Sequence, residues 1–494
     1  MSLHPRLTAW LERALPECLV EFLPPRRWFG DKARPIAGID VDDAAWLPGA
    51  RPCALVVAGV RFADGGRQRY TVVLAFVANP DGLPVVGRVD EPADAPWVVE
   101  AATDATAAQA LLSGFVPPSQ REIPMLLGGT LRYGDAGEAT TRVLAGVFEH
   151  AGVRALGAEQ SNTSLRLDRS LAFKLFRRLE DGENPELEIG RFLATRTSFR
   201  AMPVLRGSIT YVPARGGAAT VGVLQDWIES RSDGWTYVLQ RLPEPDGVSR
   251  VLRDLHALGA TTADLHAALA ADSTLPAFAP EPVTPADVDG WRTTLLERAS
   301  RTFRLVERHL PEWPDEIREQ ARAVLALQDR VAALAPEPDL RAAEARFLKI
   351  RIHGDYHLGQ TLTTDAGFVL IDFEGEPARP LHERRLKQCA LKDVAGMIRS
   401  FDYAVATVRA ARPDAPLAAA DARRLRQAFL DGYLASLPPG RAAFLPDDRS
   451  ALDGWIACFE ADKALYELEY ELNNRPAWVP IPLAGLVGIL GGAA

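Results

Sequence analysis

The run His353-Gly354-Asp355-Tyr356-His357-Leu358-Gly359-Gln360 is followed twelve residues after Gln360 by Asp372-Phe373-Glu374. Leu348, Ile350 and Ile352 alternate with Lys349 and Arg351, so a strand delivers the first motif. Phe368-Val369-Leu370-Ile371 reads as a second strand, joined to Gln360-Thr361-Leu362-Thr363 by the turn Thr364-Asp365-Ala366-Gly367. A strand, a polar loop and a hairpin ending in acids form a frame that must hold several charged groups together. The chemistry such a set serves is phosphoryl transfer. Asp355 is placed to orient an attacking hydroxyl and accept its proton. Gln360 supplies a neutral carbonyl to a metal, Asp372 holds the same metal, and Glu374 adds a further contact. His353 completes the catalytic motif as a scaffold of the loop rather than as a base.

A chain of 494 residues exceeds one core, so two to four lobes are expected. The net charge of −9 gives no broad basic surface, which sets nucleic-acid partners aside. Cys18, Cys53, Cys389 and Cys458 are scattered and form no metal-binding spacing, as in a reducing compartment. Arg6, Glu12 and Glu17 interrupt any signal-like pattern at the start, and no run of about eighteen apolar residues suggests a membrane span. The apolar, Gly-rich stretch from Pro482 reads as a packed tail. A soluble cytoplasmic enzyme is expected.

Three regions are expected: a β-rich cap over 1–100, a kinase-like N-lobe with an intermediate subdomain over 101–228, and a mainly helical C-lobe over 229–494. Ala54 to Phe62 and Gln68 to Val77 are strand-like, and Arg26 to Arg34 reads as a loop packed on their sheet. Ala101 to Phe115 reads as a helix. Helical spacing recurs over Leu252–Leu269, Asp287–Leu310, Asp315–Leu334, Leu391–Val408 and Ala451–Asn473.

Leu171-Ala172-Phe173-Lys174-Leu175-Phe176 alternates as a strand, and Lys174 is the candidate ligand of ATP phosphates. Its apolar neighbours require the amine to be paired. Glu188 is the candidate partner and Glu186 its rival, on the helix that starts at Pro185. The two acids fall on different helix faces, so only one is expected to face the lysine. Upstream, Gly157 to Leu167 reads as a polar turn between strands. Ser161, Asn162, Thr163 and Ser164 are candidate phosphate contacts there, although the turn lacks the glycines of a phosphate-cradling loop. Gln225 and Trp227, in Leu224-Gln225-Asp226-Trp227-Ile228, mark the segment where adenine is expected to dock.

Taken together, Arg27-Trp28-Phe29-Gly30-Asp31-Lys32, the Ser161 loop, the Lys174 strand, Asn184 to Leu193, the two acidic motifs, Asp393 to Tyr403 and Lys463 to Pro476 resemble bacterial maltokinases. These form part of the aminoglycoside-phosphotransferase-like branch of the protein-kinase-like fold. The resemblance spans nearly the whole chain. It implies an α+β, bilobal kinase-like fold with an N-terminal β-rich cap and ATP between the lobes. It also implies Mg²⁺-dependent transfer to the anomeric hydroxyl of maltose, a place in α-glucan synthesis, and association with a trehalose synthase. A monomer is expected. On the last helix Lys463, Tyr466, Glu467, Tyr470 and Asn474 share one face, and the first four are candidate sugar contacts. An exposed mixed face is the plain alternative. A glucosamine or other hexose kinase, a nucleotide-binding pseudokinase and an aminoglycoside kinase are the rival readings. The alternating acids and arginines from Glu374 to Arg385 speak against a polycationic acceptor.

Overall fold

Side chains on a strand alternate between faces, and along Cys53–Phe62 both sets are buried. Ala54, Val56, Ala58 and Val60 enter one apolar cluster, while Cys53, Leu55 and Val57 enter another. A strand covered on both faces needs a layer on each side. Helices Pro5–Arg13 and Leu15–Phe22 supply one layer through Trp10, Leu11, Leu15 and Leu19. Helix Ala105–Leu112 supplies part of the other, capped by Asp104, whose carboxylate accepts from the Ala107 N–H. The computed structural model describes residues 5–89, 95–116, 121–134, 136–149, 152–156, 161–334, 347–437 and 442–492.

The first antiparallel sheet runs in the order Ile36–Leu47, Cys53–Phe62, Arg67–Val77, Trp97–Glu100, Val85–Arg88. The short strand Arg178–Leu179 pairs with Tyr70 and Arg69 of this sheet. A second sheet runs Glu122–Pro124, Thr130–Tyr133, Leu205–Val212, Ala219–Asp226, Leu171–Phe176, Asn162–Leu167, Val153–Leu156. Its Leu165, Phe173, Leu175 and Leu224 share one apolar cluster with Leu55 and Val57 of the first. Both sheets lie in one structural unit, Met1–Arg191 with Pro203–Glu229 and Pro380–His382.

The other unit, Phe192–Met202, Ser230–Arg379 and Glu383–Ala494, is mainly helical. Helices Gly247–Leu269 and Asp421–Ser436 approach each other through glycine: a Cβ at Gly259 would overlap the Phe429 carbonyl, and one at Gly432 the His256 carbonyl. The apolar tail forms the helix Pro480–Leu490, with Leu483, Leu486 and Leu490 buried. Several elements differ from the sequence reading: residues 162–167 of the expected turn form the strand Asn162–Leu167, and the helix expected over 101–115 is Ala105–Leu112 followed by a 3-10 turn at Ser113–Phe115. Helical spacing over 315–334 resolves into Asp315–Ala326 and Arg330–Leu334. The strand leading to His353 covers only Leu348–Lys349, with one further bridge between Ile350 and Gln388. The N–H groups of His353 and Gly354 bond a side chain instead of a neighbouring strand. The hairpin Thr361–Thr364 and Gly367–Leu370 forms in the expected register and gains Ser232–Asp233 as a third strand. Among the described residues no helix is long and apolar enough to cross a membrane.

Gly259→Ala should destabilise the protein by about 2 kcal/mol or more, because the new methyl meets backbone rather than a movable side chain. Urea unfolding of the variant against wild type measures it.

Candidate active site

Asp393 opens the helix Leu391–Ala411, and its carboxylate holds the catalytic-motif backbone from below. Oδ2 accepts the His353 N–H at 2.7 Å and Oδ1 accepts the Gly354 N–H at 2.9 Å. Nε2 of the fully buried His266 lies 3.2 Å from Oδ2 and donates to it, and Nδ1 lies 2.8 Å from the Tyr433 hydroxyl. Burial pushes the Asp393 carboxyl upward, but His266, His353 and the Gly354 N–H outweigh it, and the pKa lies below the usual carboxylate value. Gly354 sits at φ +84°, a left-handed conformation that turns the chain directly before Asp355. The Tyr356 hydroxyl donates to Thr262 Oγ1 at 2.8 Å, pinning the far side of the loop.

His353 joins its loop to the strand end beside it. Its Nε2 donates to the Ile371 carbonyl at 2.9 Å, and its ring lies against Phe373 at 4.9 Å. The loop is thereby joined to the strand end that carries Asp372. That residue has φ +67°, an uncommon conformation for a side-chain-bearing residue and a form of strain that clusters at functional sites. Gln360 Nε2 donates to Asp372 Oδ2 at 2.9 Å. This bond turns the amide so that its carbonyl remains for another partner. The Gln360 carbonyl with the carboxylates of Asp372 and Glu374 is an all-oxygen donor set, which fits a hard divalent cation such as Mg²⁺.

Lys463, on the helix Arg449–Asn474, reaches Asp355 Oδ1 with Nζ at 3.5 Å. Burial lowers the lysine pKa, but Asp355, Glu376 and Glu467 more than offset this, and it stays above the ordinary value. A cleft of about 110 Å³ beside Asp355 is lined by Glu376, Arg379, Lys392, Asp462 and Lys463 among others. Most of its charges are matched. Arg379 Nε lies 2.8 Å from Glu376, and Asp462 lies 2.9 Å from Arg298. Lys392 instead donates to Gln388 Oε1 at 2.7 Å and lies over the rings of Trp291 and Phe459, with no carboxylate within ion-pair distance among the described residues. Burial pulls its pKa down to about 8.

The expected sugar face is rotated relative to this cleft. Lys463 lines it, but Glu467 is bound by Arg399 at 2.8 Å and Tyr470 is 42% exposed with Arg475 over its ring. Tyr466 packs between Lys463 and Arg298, near Glu376. The helix presents Phe459, Asp462 and Lys463 instead, a turn nearer its start. Sequence offsets show which residues share a face, not which way that face turns.

In the other structural unit Lys174 Nζ lies 3.2 Å from Glu186 Oε2, both buried. Glu186 is thus the residue measured against the lysine, where the sequence put Glu188 first. Glu188 is buried as well, two residues further along the same helix. Asn184 Oδ1 accepts the Glu186 N–H at 2.9 Å and fixes this end of the helix. Thr163 Oγ1 accepts from Arg177 Nε at 2.8 Å, so this hydroxyl is tied into the protein rather than offered outward. Ser164 is buried opposite Lys174, and Asn162 Nδ2 lies 3.4 Å from Ser161 Oγ. Residues 157–160 of the expected phosphate turn lie outside the described residues. Gln225 and Trp227 are half-buried at the end of the sheet. The Trp227 indole N–H bonds Glu229 at 3.2 Å and Arg166 lies over the ring.

Residues 22–104 match the maltokinase N-terminal cap domain model and residues 152–375 match the phosphotransferase enzyme family model. The chain is a kinase-type phosphotransferase. Among curated proteins it is similar to a glucosamine kinase of Mycolicibacterium smegmatis, 28% identical over 69% of this chain and 80% of that one. A glucosamine kinase of Streptacidiphilus jiangxiensis is 28% identical over 69% of this chain and 74% of its own. A solved glucosamine kinase in complex with glucosamine, ADP and inorganic phosphate aligns over 95% of this chain and 99% of its own, with TM-score 0.64 and 23% identity. A second crystal form of a glucosamine kinase gives TM-score 0.67, with 22% identity over 96% and 99% of the two chains. These structural likenesses establish the fold: α+β, protein-kinase-like, with a β-rich cap at the N-terminus.

Several residues of this phosphotransferase that hold its site were not singled out in sequence as site residues. Asp393 reads there as an ordinary acid in a helix's first turn. His266 and Lys392 read as single polar residues on apolar helices, with no spacing to distinguish them. The pKa of Lys392 gives a direct check. Between about 8 and the ordinary 10.5 the unfolded chain holds a proton that the folded chain has released, so this lysine makes stability rise with pH. In Lys392→Met that contribution is gone, and the stability difference should move in favour of wild type from pH 8 to 10.5. Chemical denaturation across that range reads it.

Proposed function

We propose that this phosphotransferase is an ATP-dependent sugar kinase that phosphorylates the anomeric hydroxyl of maltose. The observation that carries the kinase reading is Asp355 held on a clamped loop, with Lys463 on its Oδ1 and the Gln360–Asp372 pair on the adjoining hairpin. Asp355 orients the acceptor hydroxyl and takes its proton late, as a loose phosphoryl transfer requires. Lys463 lies against that carboxylate and fixes its rotamer. Lys174, held by Glu186, neutralises phosphate charge. Gln360 and Asp372, with Glu374 beside them, would hold Mg²⁺. When bound, the ion would neutralise charge on the transferred phosphate.

One observation favours maltose, the match of residues 22–104 to the maltokinase cap. In the cleft Glu376 and Asp462 each pair with an arginine and Asp355 lies against Lys463, and the amines of Lys392 and Lys463 are placed to donate to the hydroxyls of a neutral sugar. Glucosamine is the second reading, favoured by the names of both curated relatives. With the maltose reading go a place in the trehalose-linked route, a trehalose synthase as partner, a monomeric state and a cytoplasmic place.

ADP release from Mg·ATP should be fastest with maltose among maltose, glucosamine, glucose and buffer alone, with the product phosphate on the anomeric carbon by ³¹P NMR. Asp355→Asn should lower kcat about 10³-fold without loss of fold. Turnover confined to glucosamine would overturn the acceptor assignment and leave the catalytic one standing. Near-wild-type turnover of Asp355→Asn would overturn the catalytic one.

A further inference from the structure

Directly after the strand that carries Lys174, Arg177 turns into the protein and is 1% exposed. Its guanidinium has partners on several elements. Nη1 lies 2.9 Å from Glu100 Oε1 and 3.3 Å from the Thr71 carbonyl, both on the first sheet, and the Trp28 ring lies 4.6 Å from Cζ. Nε donates to Thr163 Oγ1 at 2.8 Å. Thr163 is the second residue of the strand Asn162–Leu167, directly downstream of the expected phosphate turn, and pairs with Leu175. The backbone repeats the connection. The Thr71 N–H donates to the Arg177 carbonyl at 2.8 Å, the Thr71 hydroxyl bonds the Phe176 carbonyl, and Arg178–Leu179 continues the first sheet. Trp28, Thr71 and Glu100 all fall within residues 22–104, the cap match.

A fully buried guanidinium is costly unless its donors and its charge are met. Here the charge is met by a cap acid, while the Nε hydrogen bond goes to the strand beside Lys174. A hydrophobic residue of similar volume would fill the space without linking these elements. We infer that Arg177 is a positioning residue through which the cap sheet fixes the Lys174 and Thr163 strands and so sets nucleotide affinity. The inference rests on the reading of Lys174 as the phosphate lysine. It assigns the cap a role in the kinase reaction beyond covering the sheet.

The test compares Mg·ADP affinity by titration calorimetry for wild type, Thr163→Val, Thr163→Ser, Lys174→Met and the double variant Glu100→Gln/Arg177→Met. The double variant removes the arginine and neutralises its acid, so no unpaired charge stays buried. Thr163→Val decides the case if the double variant does not fold. Thr163→Val and the double variant should each bind Mg·ADP about tenfold more weakly, the worth of one hydrogen bond to a charged group. Thr163→Ser should bind as wild type, and the thermal midpoint of Thr163→Val should stay near wild type. Wild-type affinity in Thr163→Val and the double variant, with weak binding by Lys174→Met, would overturn the role of Arg177 and keep the nucleotide reading. Wild-type affinity in all variants, Lys174→Met included, would overturn both.

Discussion

The buried carboxylate of Asp393 needs donors, and the chain answers with two backbone N–H groups and one imidazole. Without them the burial of a charge would cost several kcal/mol. With them, the carboxylate becomes the fixed point on which His353 and Gly354 hang, and Asp355 leaves that point in a defined direction. The surrounding helices serve the same end. Gly259 and Gly432 let two helices close to backbone contact, which brings His266 and Tyr433 into the hydrogen-bonded chain behind Asp393. Helix packing, a buried hydrogen-bond chain and loop conformation are successive links of one cause.

The sheet-bearing unit solves a similar problem with pairs. Lys174 and Arg177 are three residues apart, both buried, and each is matched by an acid from a different element: Glu186 from the helix and Glu100 from the first sheet. Breaking either pair would leave a lone buried charge, so the strand carrying Lys174 and the residue directly after it are held from two directions. Phe173 and Leu175 turn to the apolar cluster shared between the sheets, while Lys174, on the other face of the strand, lies by the Phe176 ring.

Much of the fold was legible because period-two and helical patterns report burial directly. The strands Cys53–Phe62 and Arg67–Val77 and the hairpin ending at Leu370 follow from it. Asp355, Gln360 and Asp372 were legible because spacing along a loop and hairpin fixes neighbours. What stayed hidden depends on rotation or on distant sequence. Glu186 against Glu188, and Asp462 against Glu467, differ only by how a helix is turned about its axis, which is set by packing. Asp393 and His266 stand 127 positions apart and meet only after folding. The left-handed backbone of Asp372 leaves no mark in an Asp-Phe-Glu triplet. Nothing in the spacing of the adjacent pair Arg177-Arg178 marks Arg177 as the one that is buried.

The most direct test of the central claim is a rapid-quench single-turnover measurement on Asp393→Asn, using Mg·ATP and the acceptor that wild type uses fastest. Asn keeps the shape but loses the charge and one of the two acceptors. The account predicts unchanged nucleotide affinity and a phosphoryl-transfer step slowed about 10²-fold, the effect of a small misplacement of Asp355. A transfer step at the wild-type rate would contradict it, because the catalytic loop would then hold its conformation without the clamp.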